Sequence, residues 1–452
     1  MSKSVTIVGA GFSGLAAAAH LAKAGHKVTL LEKNPTVGGR ARQLKEDGYT
    51  FDMGPSWYWM PDVFESFFAE FNKKPSDYYH LIRLDPSYSV YFGQDDRVDL
   101  SADLDGMMQM FEKLEPGSSV QLKKFLDEGS FKYDVGVNKM VYKPGLSVFE
   151  FLDWELAKGV MKLHVFQSIS KYIRNHFKNP KLVQLLEFPV LFLGAMPQDT
   201  PALYSLMNYA DIQLGTWYPQ GGMYKVIEAL ASLCEELGVD IRTGSEVLGI
   251  ETQGNLVKTL HTTTGDVNPD SVMVSGDYHH FEQNIIPKQF RRYTPQYWDS
   301  RDMAPGSLLF FLGFDKKLEN IEHHTLFFDT DFNAHAEEIY KNPAWPKDPL
   351  FYLSAASKTD PDAAPEGHEA VVILIPLAPG LPETENVREM YLDMVLTRLE
   401  KLTGQSVKGH LKYKRSYAHR EFIRDYHAYK GNAYGLANTL KQTAILKPSI
   451  KR

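Results

Sequence analysis

The sequence predicts an α/β protein, and three observations carry that prediction. The first 32 residues read as strand, glycine turn, helix and second strand. Residues 240–274 return to short β-rich pieces, and residues 285–428 alternate strands with helices. Residues 5–8 (VTIV) are an apolar, β-branched strand, and Gly9, Gly11 and Gly14 form G-x-G-x-x-G where that strand turns into a helix. The first glycine permits the tight turn, the second lets backbone approach a pyrophosphate, and the third lets helix pack on strand. The helix N-terminus then aims free N–H groups and a positive dipole end at phosphate. Residues 28–31 make the next strand, and Glu32 follows where a ribose-binding acid is expected, about 20 residues beyond the glycines. A lone glycine motif is weak. Flanked by strand, helix and acid, this one predicts a Rossmann-type dinucleotide site.

The chain beyond Glu32 distinguishes one dinucleotide from another. Gly38, Gly39, Arg40, Ala41 and Arg42 follow the second strand, an arrangement that a nicotinamide site does not use. It is similar to the extended motif of FAD enzymes in the amine oxidase, GDI-like and carotenoid desaturase superfamily. The glycines let the chain run close to a cofactor, and Arg40 and Arg42 offer fork-shaped donors to phosphate or to the flavin's polar edge. Two surface arginines after a turn is the plainer reading. FAD is the expected cofactor.

Further along, residues 79–100 alternate short strands (HLIRL, YSVYFG, RVDL), and residues 103–214 are mainly helical. A helix opened by YPQGGM runs to about residue 237, with strand-like pieces at 240–242, 247–252, 257–262 and 271–274. The last region alternates SLLFFLGF, PLFYLSAAS and AVVILIPLA with the helix VREMYLDMVLTRLEKLTG. A net charge of −7 argues against a nucleic-acid partner, and 43% hydrophobic residues suffice for a sizeable core. One cysteine, Cys234, excludes an internal disulfide framework and fits a reducing cytoplasm; it reads as a small core residue. No run of about 20 apolar residues is present, so no membrane span is expected. His279-His280 and His323-His324 are adjacent pairs whose side chains would point apart on a strand, and no metal site is expected.

Across nearly its whole length the chain resembles bacterial phytoene desaturases of the carotenoid and retinoid oxidoreductase family, most closely those of Bacteroidetes. The blocks that carry the resemblance are FDMGPSWYWMPD, LFLGAMPQDTPALYSLMNYAD, WYPQGGMYKVIEAL and AYGLANTLKQTA, in family order. The resemblance implies a discontinuous GDI/amine-oxidase-like FAD domain (residues 1–78 and 216–284), a mixed-sheet substrate domain (79–102 and 285–428) and a helical membrane-facing subdomain (103–215). It also implies stepwise desaturation of phytoene toward lycopene, a polyene substrate, docking on the cytoplasmic face of the inner membrane, and oxygen or a quinone as electron acceptor. Family members continue past AYGLANTL into a segment that closes over the flavin. Residues 429–452 are accordingly expected to be the incomplete start of that segment, and the chain a C-terminally short fragment.

Desaturation beside a polyene needs a hydride acceptor, which the flavin supplies, and a route for a proton. Gly54 and Pro55 suggest a fixed turn near the flavin. Trp57, Tyr58 and Trp59 beyond them are candidates to stabilise an allylic cation through their faces, with core packing the other reading. Asp211 and His279 lie in family-like blocks and are candidate bases, though a lone acid or histidine is more often structural. Leu152, Leu156, Val160, Leu163, Phe166, Ile173 and Phe177 recur at helical spacing beside Lys158, Lys162, Lys171, Arg174 and Lys178. That pattern reads as a helix lying in lipid headgroups, or as one packed on the domain below. Three other functions remain open: desaturation of a hydroxylated carotenoid, carotene cis-trans isomerisation, and a non-catalytic lipid escort.

Overall fold

The computed structural model describes residues 2–143, 164, 167–439, 442 and 446–449. A four-stranded parallel sheet has the order Ser271–Val274, Ser4–Val8, Lys27–Leu31, Asp240–Arg242. Two strands come from the N-terminus and two from residues beyond 239, so one sheet joins distant parts of the chain. Ile7 and Leu30 are fully buried in it, beneath the helix Phe12–Lys23. That helix is narrow because Leu15, Ala18 and Ala19 form its buried side, and Tyr224–Glu236 packs close against it. Cys234 donates its Sγ–H to the Leu15 carbonyl at 3.2 Å, the small structural role expected of it.

A second, seven-stranded sheet is mixed. Its order is Leu411–Tyr417, Gly306–Phe314, Glu369–Leu377, Phe351–Ser354, His324–Phe327, Tyr88–Gly93, Asp96–Leu100. All neighbours are antiparallel except His324–Phe327 on Tyr88–Gly93. Alternation gives this sheet two distinct faces. Leu308, Phe310, Ile373, Ile375 and Leu353 pack on the helix Val387–Thr403 through Val395, Leu396 and Leu399. The residues between them face the other way, toward the parallel sheet and the site.

The helices Leu104–Leu114, Ser118–Tyr133, Ile169–His176 and Pro180–Glu187 cover the end of the sheet near Tyr88 and Val90. Of the predicted amphipathic helix, Leu152, Leu156, Val160, Leu163, Phe166, Lys158 and Lys162 lie outside the described residues. The remainder departs from expectation. Ser168 caps a new helix by accepting from the Lys171 N–H, so the pattern is not one continuous helix. Ile173 and Phe177 are 0% exposed, with Phe177 edge-on to Phe111 and Phe125. These two residues face a protein core rather than a bilayer. No helix among the described residues is long and apolar enough to cross a membrane.

Candidate active site

The carboxyl ends of the parallel strands open on a cleft of about 400 Å³ lined by Gly9, Gly11, Glu32, Gly38, Gly39, Arg40 and Pro55. Gly14 stands behind this wall; a Cβ there would lie 1.9 Å from the Gly9 carbonyl oxygen, so glycine is what lets the helix start so close to the strand. A Cβ on Gly11 would meet nothing within 4 Å, because that position faces the open cleft. Glu32 is buried and holds the cleft's shape, accepting from Ala10 N at 2.9 Å and from both nitrogens of Asn34 at 2.9 and 2.8 Å.

The two arginines separate. Arg40 reaches the cleft, and its Nε and Nη2 are buried with no hydrogen-bond partner among the described residues. Desolvation pulls its pKa below the usual arginine value, with Asp277 opposing that shift. Arg42 turns away to pair with Asp425 at 2.8 Å and lies over the Tyr426 ring at 5.1 Å, bracing the 425–427 segment that lines the cleft's far side. A buried guanidinium without an acceptor and a glycine facing open space fit a dinucleotide with phosphates and a polar ring. They would be costly in a merely packed interface.

Sequence reasoning missed the opposite wall, where Ser245, Glu246, Ser275, Gly276, Asp277, His280, Tyr426 and His427 gather. The expected return of residues 216–284 to the FAD domain brought part of this wall into the region without singling out its side chains. His279 is absent from both cavities; it stacks on Tyr429 at 3.8 Å, while its neighbour His280 stacks on His427 at 3.7 Å. The pair sits on a helical turn, Tyr278–His280, rather than a strand. His323 precedes its strand, so the His323 and His324 rings approach to 4.5 Å instead of pointing apart.

A second cavity of about 470 Å³ is mainly apolar. Its floor is one face of the mixed sheet: Leu309 pairs with Leu374, Leu374 with Tyr352, and Tyr352 with Leu326. Phe188, Phe328, Phe332 and Ile339 complete much of the wall. Gly54, Pro55, Trp57 and Trp59 border it, while Tyr58 alternates into the opposite core and hydrogen-bonds Tyr79 at 2.9 Å. Arg40 and Pro55 line both cavities. A Cβ on Gly54 would sit 1.9 Å from the Arg40 carbonyl, so its absence lets the two segments meet at this seam.

Asp211 stops one layer short of the cavity. It accepts from Tyr88 at 2.8 Å and Thr216 at 3.2 Å; Thr216 accepts from the Trp59 indole at 2.8 Å, and Tyr88 is edge-on to Trp57 at 5.2 Å. Burial pushes its carboxyl up to about 7. Its position supports both tryptophans.

Residues 12–450 match the family model "Flavin containing amine oxidoreductase". The chain is 42% identical to a carotenoid 3,4-desaturase from Haloarcula japonica, over 98% of this chain and 90% of that one. It is 30% identical to a 4,4'-diapophytoene desaturase (4,4'-diaponeurosporene-forming) from Staphylococcus aureus, over 98% and 91%. In fold it is similar to an oxidoreductase from Methanosarcina mazei, with a TM-score of 0.60, 17% identity, and coverage of 92% of this chain and 88% of that one. The chain belongs to the flavin-containing amine oxidoreductase family, among its carotenoid desaturases, and is an FAD-dependent oxidoreductase acting on CH–CH groups.

Proposed function

We propose that this enzyme desaturates the 3,4 position of a carotenoid that is already conjugated and carries a hydroxylated end. The observation that carries the reading is the seam: an apolar cavity suited to a polyene opens onto a dinucleotide cleft at Arg40 and Pro55. The 3,4 position is taken from the relative at 42% identity, against 30% for the diapophytoene enzyme. A hydroxylated end suits the cavity's phenols. Tyr434 lines this cavity, and desolvation pushes its hydroxyl up to about 12. Among the described residues nothing hydrogen-bonds the hydroxyls of Tyr340 or Tyr434, which leaves two donors for a substrate oxygen.

In this reading Gly9, Gly11, Gly14, Glu32, Gly38 and Gly39 form the dinucleotide cradle, and Arg40 meets phosphate or the flavin's polar edge. Gly54 and Pro55, at the junction of the two cavities, would border the flavin ring, and Arg42 braces the wall opposite. FAD supplies a hydride acceptor when bound. Trp57 and Trp59 line the cavity, where their electron-rich rings would favour the positive charge that develops on the polyene. A carotenoid resides in lipid, so docking on the inner membrane's cytoplasmic surface, with oxygen or a quinone as final acceptor, completes the proposal.

Phytoene desaturation toward lycopene is the second reading, favoured by the cavity's largely apolar wall. Incubating the FAD-loaded enzyme separately with phytoene and with a hydroxylated, coloured carotenoid decides between them. Lengthened conjugation in the hydroxylated substrate alone supports 3,4-desaturation. Conversion of phytoene alone transfers the assignment to the second reading.

A further inference from the structure

Strand register assembles a group that no stretch of sequence announces. Tyr352 and His324 lie on adjacent antiparallel strands, and Tyr352 pairs directly with Leu326, two residues beyond His324. Alternation therefore puts all three on one face of the sheet. Tyr352 lines the apolar cavity, with its hydroxyl 3.0 Å from Ser56 Oγ and 2.7 Å from His324 Nδ1. Ser56 follows Pro55, so this hydroxyl lies at the end of the cavity where the dinucleotide cleft joins it. His324 is fully buried, stacked flat on Trp57 at 4.1 Å and 15°. Its Nε2 has no hydrogen-bond partner among the described residues.

We propose that Tyr352, backed by His324, accepts the proton that leaves the substrate during desaturation. The assignment rests on the desaturase reading above. One substrate carbon loses hydride, so that C–H bond's electron pair goes to FAD, the oxidant. The neighbouring carbon loses a proton to Tyr352 Oη, and that C–H pair becomes the new π bond. Tyr352 passes its own proton to His324 Nδ1, so the hydroxyl ends neutral and the imidazole carries one positive charge. The hydride carries one negative charge to the cofactor, so the buried site gains no net charge, and the two charges attract in a low dielectric.

Two other polar groups of the cavity, His335 and Arg40, lack this capacity. His335 has both ring nitrogens engaged, Nε2 donating to the Pro376 carbonyl at 3.1 Å and Nδ1 accepting from Leu350 N at 3.0 Å. Arg40 is permanently charged and accepts no proton. Burial holds His324 well below its usual range, so it is neutral and ready to accept. A weak base suffices, because proton loss is coupled to hydride departure and the positive charge developing on the neighbouring carbon acidifies the C–H bond.

The test compares wild type, Tyr352→Phe and His324→Gln as FAD-loaded enzymes, mixed anaerobically with the carotenoid that wild type desaturates. Flavin reduction is followed in one turnover, in water and in deuterium oxide, with flavin content and thermal unfolding measured alongside. The expected result is a fall of about 100-fold or more in the reduction rate in either variant that retains flavin and fold. The solvent isotope effect of wild type should disappear with it. A rate within about threefold of wild type in a folded, flavin-loaded variant overturns the assignment while leaving the desaturase reading intact. Failure of wild type to reduce its flavin with any carotenoid overturns the desaturase reading, and this assignment falls with it.

Discussion

The dinucleotide cleft and the apolar cavity share Arg40 and Pro55 but are built by opposite means. One side of the cleft comes from three short stretches within the first 41 residues, around Gly9, Glu32 and Gly38. The cavity floor comes from Leu309, Leu326, Tyr352 and Leu374, one residue from each of four strands, joined only by register. Chemistry that needs close backbone approach is written locally, because a missing side chain acts wherever it stands. Chemistry that needs a surface is written in strand pairing, and a one-residue slip would turn the same residues to the opposite face.

The sharpest way to break this contrast is at the glycines. Gly14→Ala places a Cβ 1.9 Å from the Gly9 carbonyl, where strand and helix would have to part. It should cost about 3 kcal/mol and leave the purified protein without flavin. Gly11→Ala meets nothing within 4 Å and should fold normally, its methyl instead protruding into the cleft and weakening FAD binding about tenfold or more. Thermal unfolding and flavin absorbance together separate the two. If both variants behave alike, the local account of the cleft is wrong.

The arginines provide the next largest effect. Arg40→Met should weaken FAD binding about 10- to 100-fold, the range for hydrogen bonds to a charged group. Stability of the FAD-free protein should hold or rise, since a buried cation whose Nε and Nη2 lack hydrogen-bond partners among the described residues is removed. Arg42→Met should do the reverse, lowering stability by breaking the pair with Asp425 and affecting FAD only through the segment it braces. FAD titration and unfolding of the FAD-free protein check both. Equal effects on binding would return Arg42 to direct cofactor contact.

What was legible in the sequence follows the same division. The glycines, Glu32 and both tryptophans were visible because each sits in a contiguous pattern, and the strands YSVYFG, SLLFFLGF and AVVILIPLA were visible because apolar runs are local. The cleft's second wall was missed, since Ser245 and Asp277 are ordinary loop residues and Tyr426 an ordinary helix end until three distant segments converge. Tyr352 and His324 were missed for a related reason. Nothing in HHTLFF or LFYLS says which face will look into a cavity. Asp211 was noticed, but its layer in the fold was not readable: it supports Trp59 through Thr216 rather than reaching the cavity.

That layer has a measurable consequence. Asp211 moves from an ordinary 3.8 to about 7 on burial, so between those values the folded protein keeps a proton that the unfolded chain has released. Its contribution to stability is therefore complete below about pH 4 and is lost as pH rises through 7. Asp211→Asn cannot release that proton. Between pH 5 and 6 wild type should lose about 1.4 kcal/mol relative to the variant, read from denaturant unfolding at each pH. Parallel curves would place Asp211 in contact with water, against the two buried hydroxyls that bind it.

The smallest expected effect is at His279, because sequence and structure disagree there. Its block resembles a functional one, and a histidine beside a flavin segment is a natural base. In the fold, however, its ring is packed between Tyr429 at 3.8 Å and Trp298 at 5.4 Å, outside the lining of both cavities. Desolvation lowers its pKa, so the stack holds it neutral. His279→Ala should therefore leave carotenoid turnover within about twofold of wild type and cost roughly 1 kcal/mol of stability, as the loss of an aromatic pair does. His280→Ala should weaken FAD binding more than its neighbour does, because His280 lines the cleft. A turnover loss at His279 greater than at His280 would mean that the local pattern had located the chemistry better than the assembled fold.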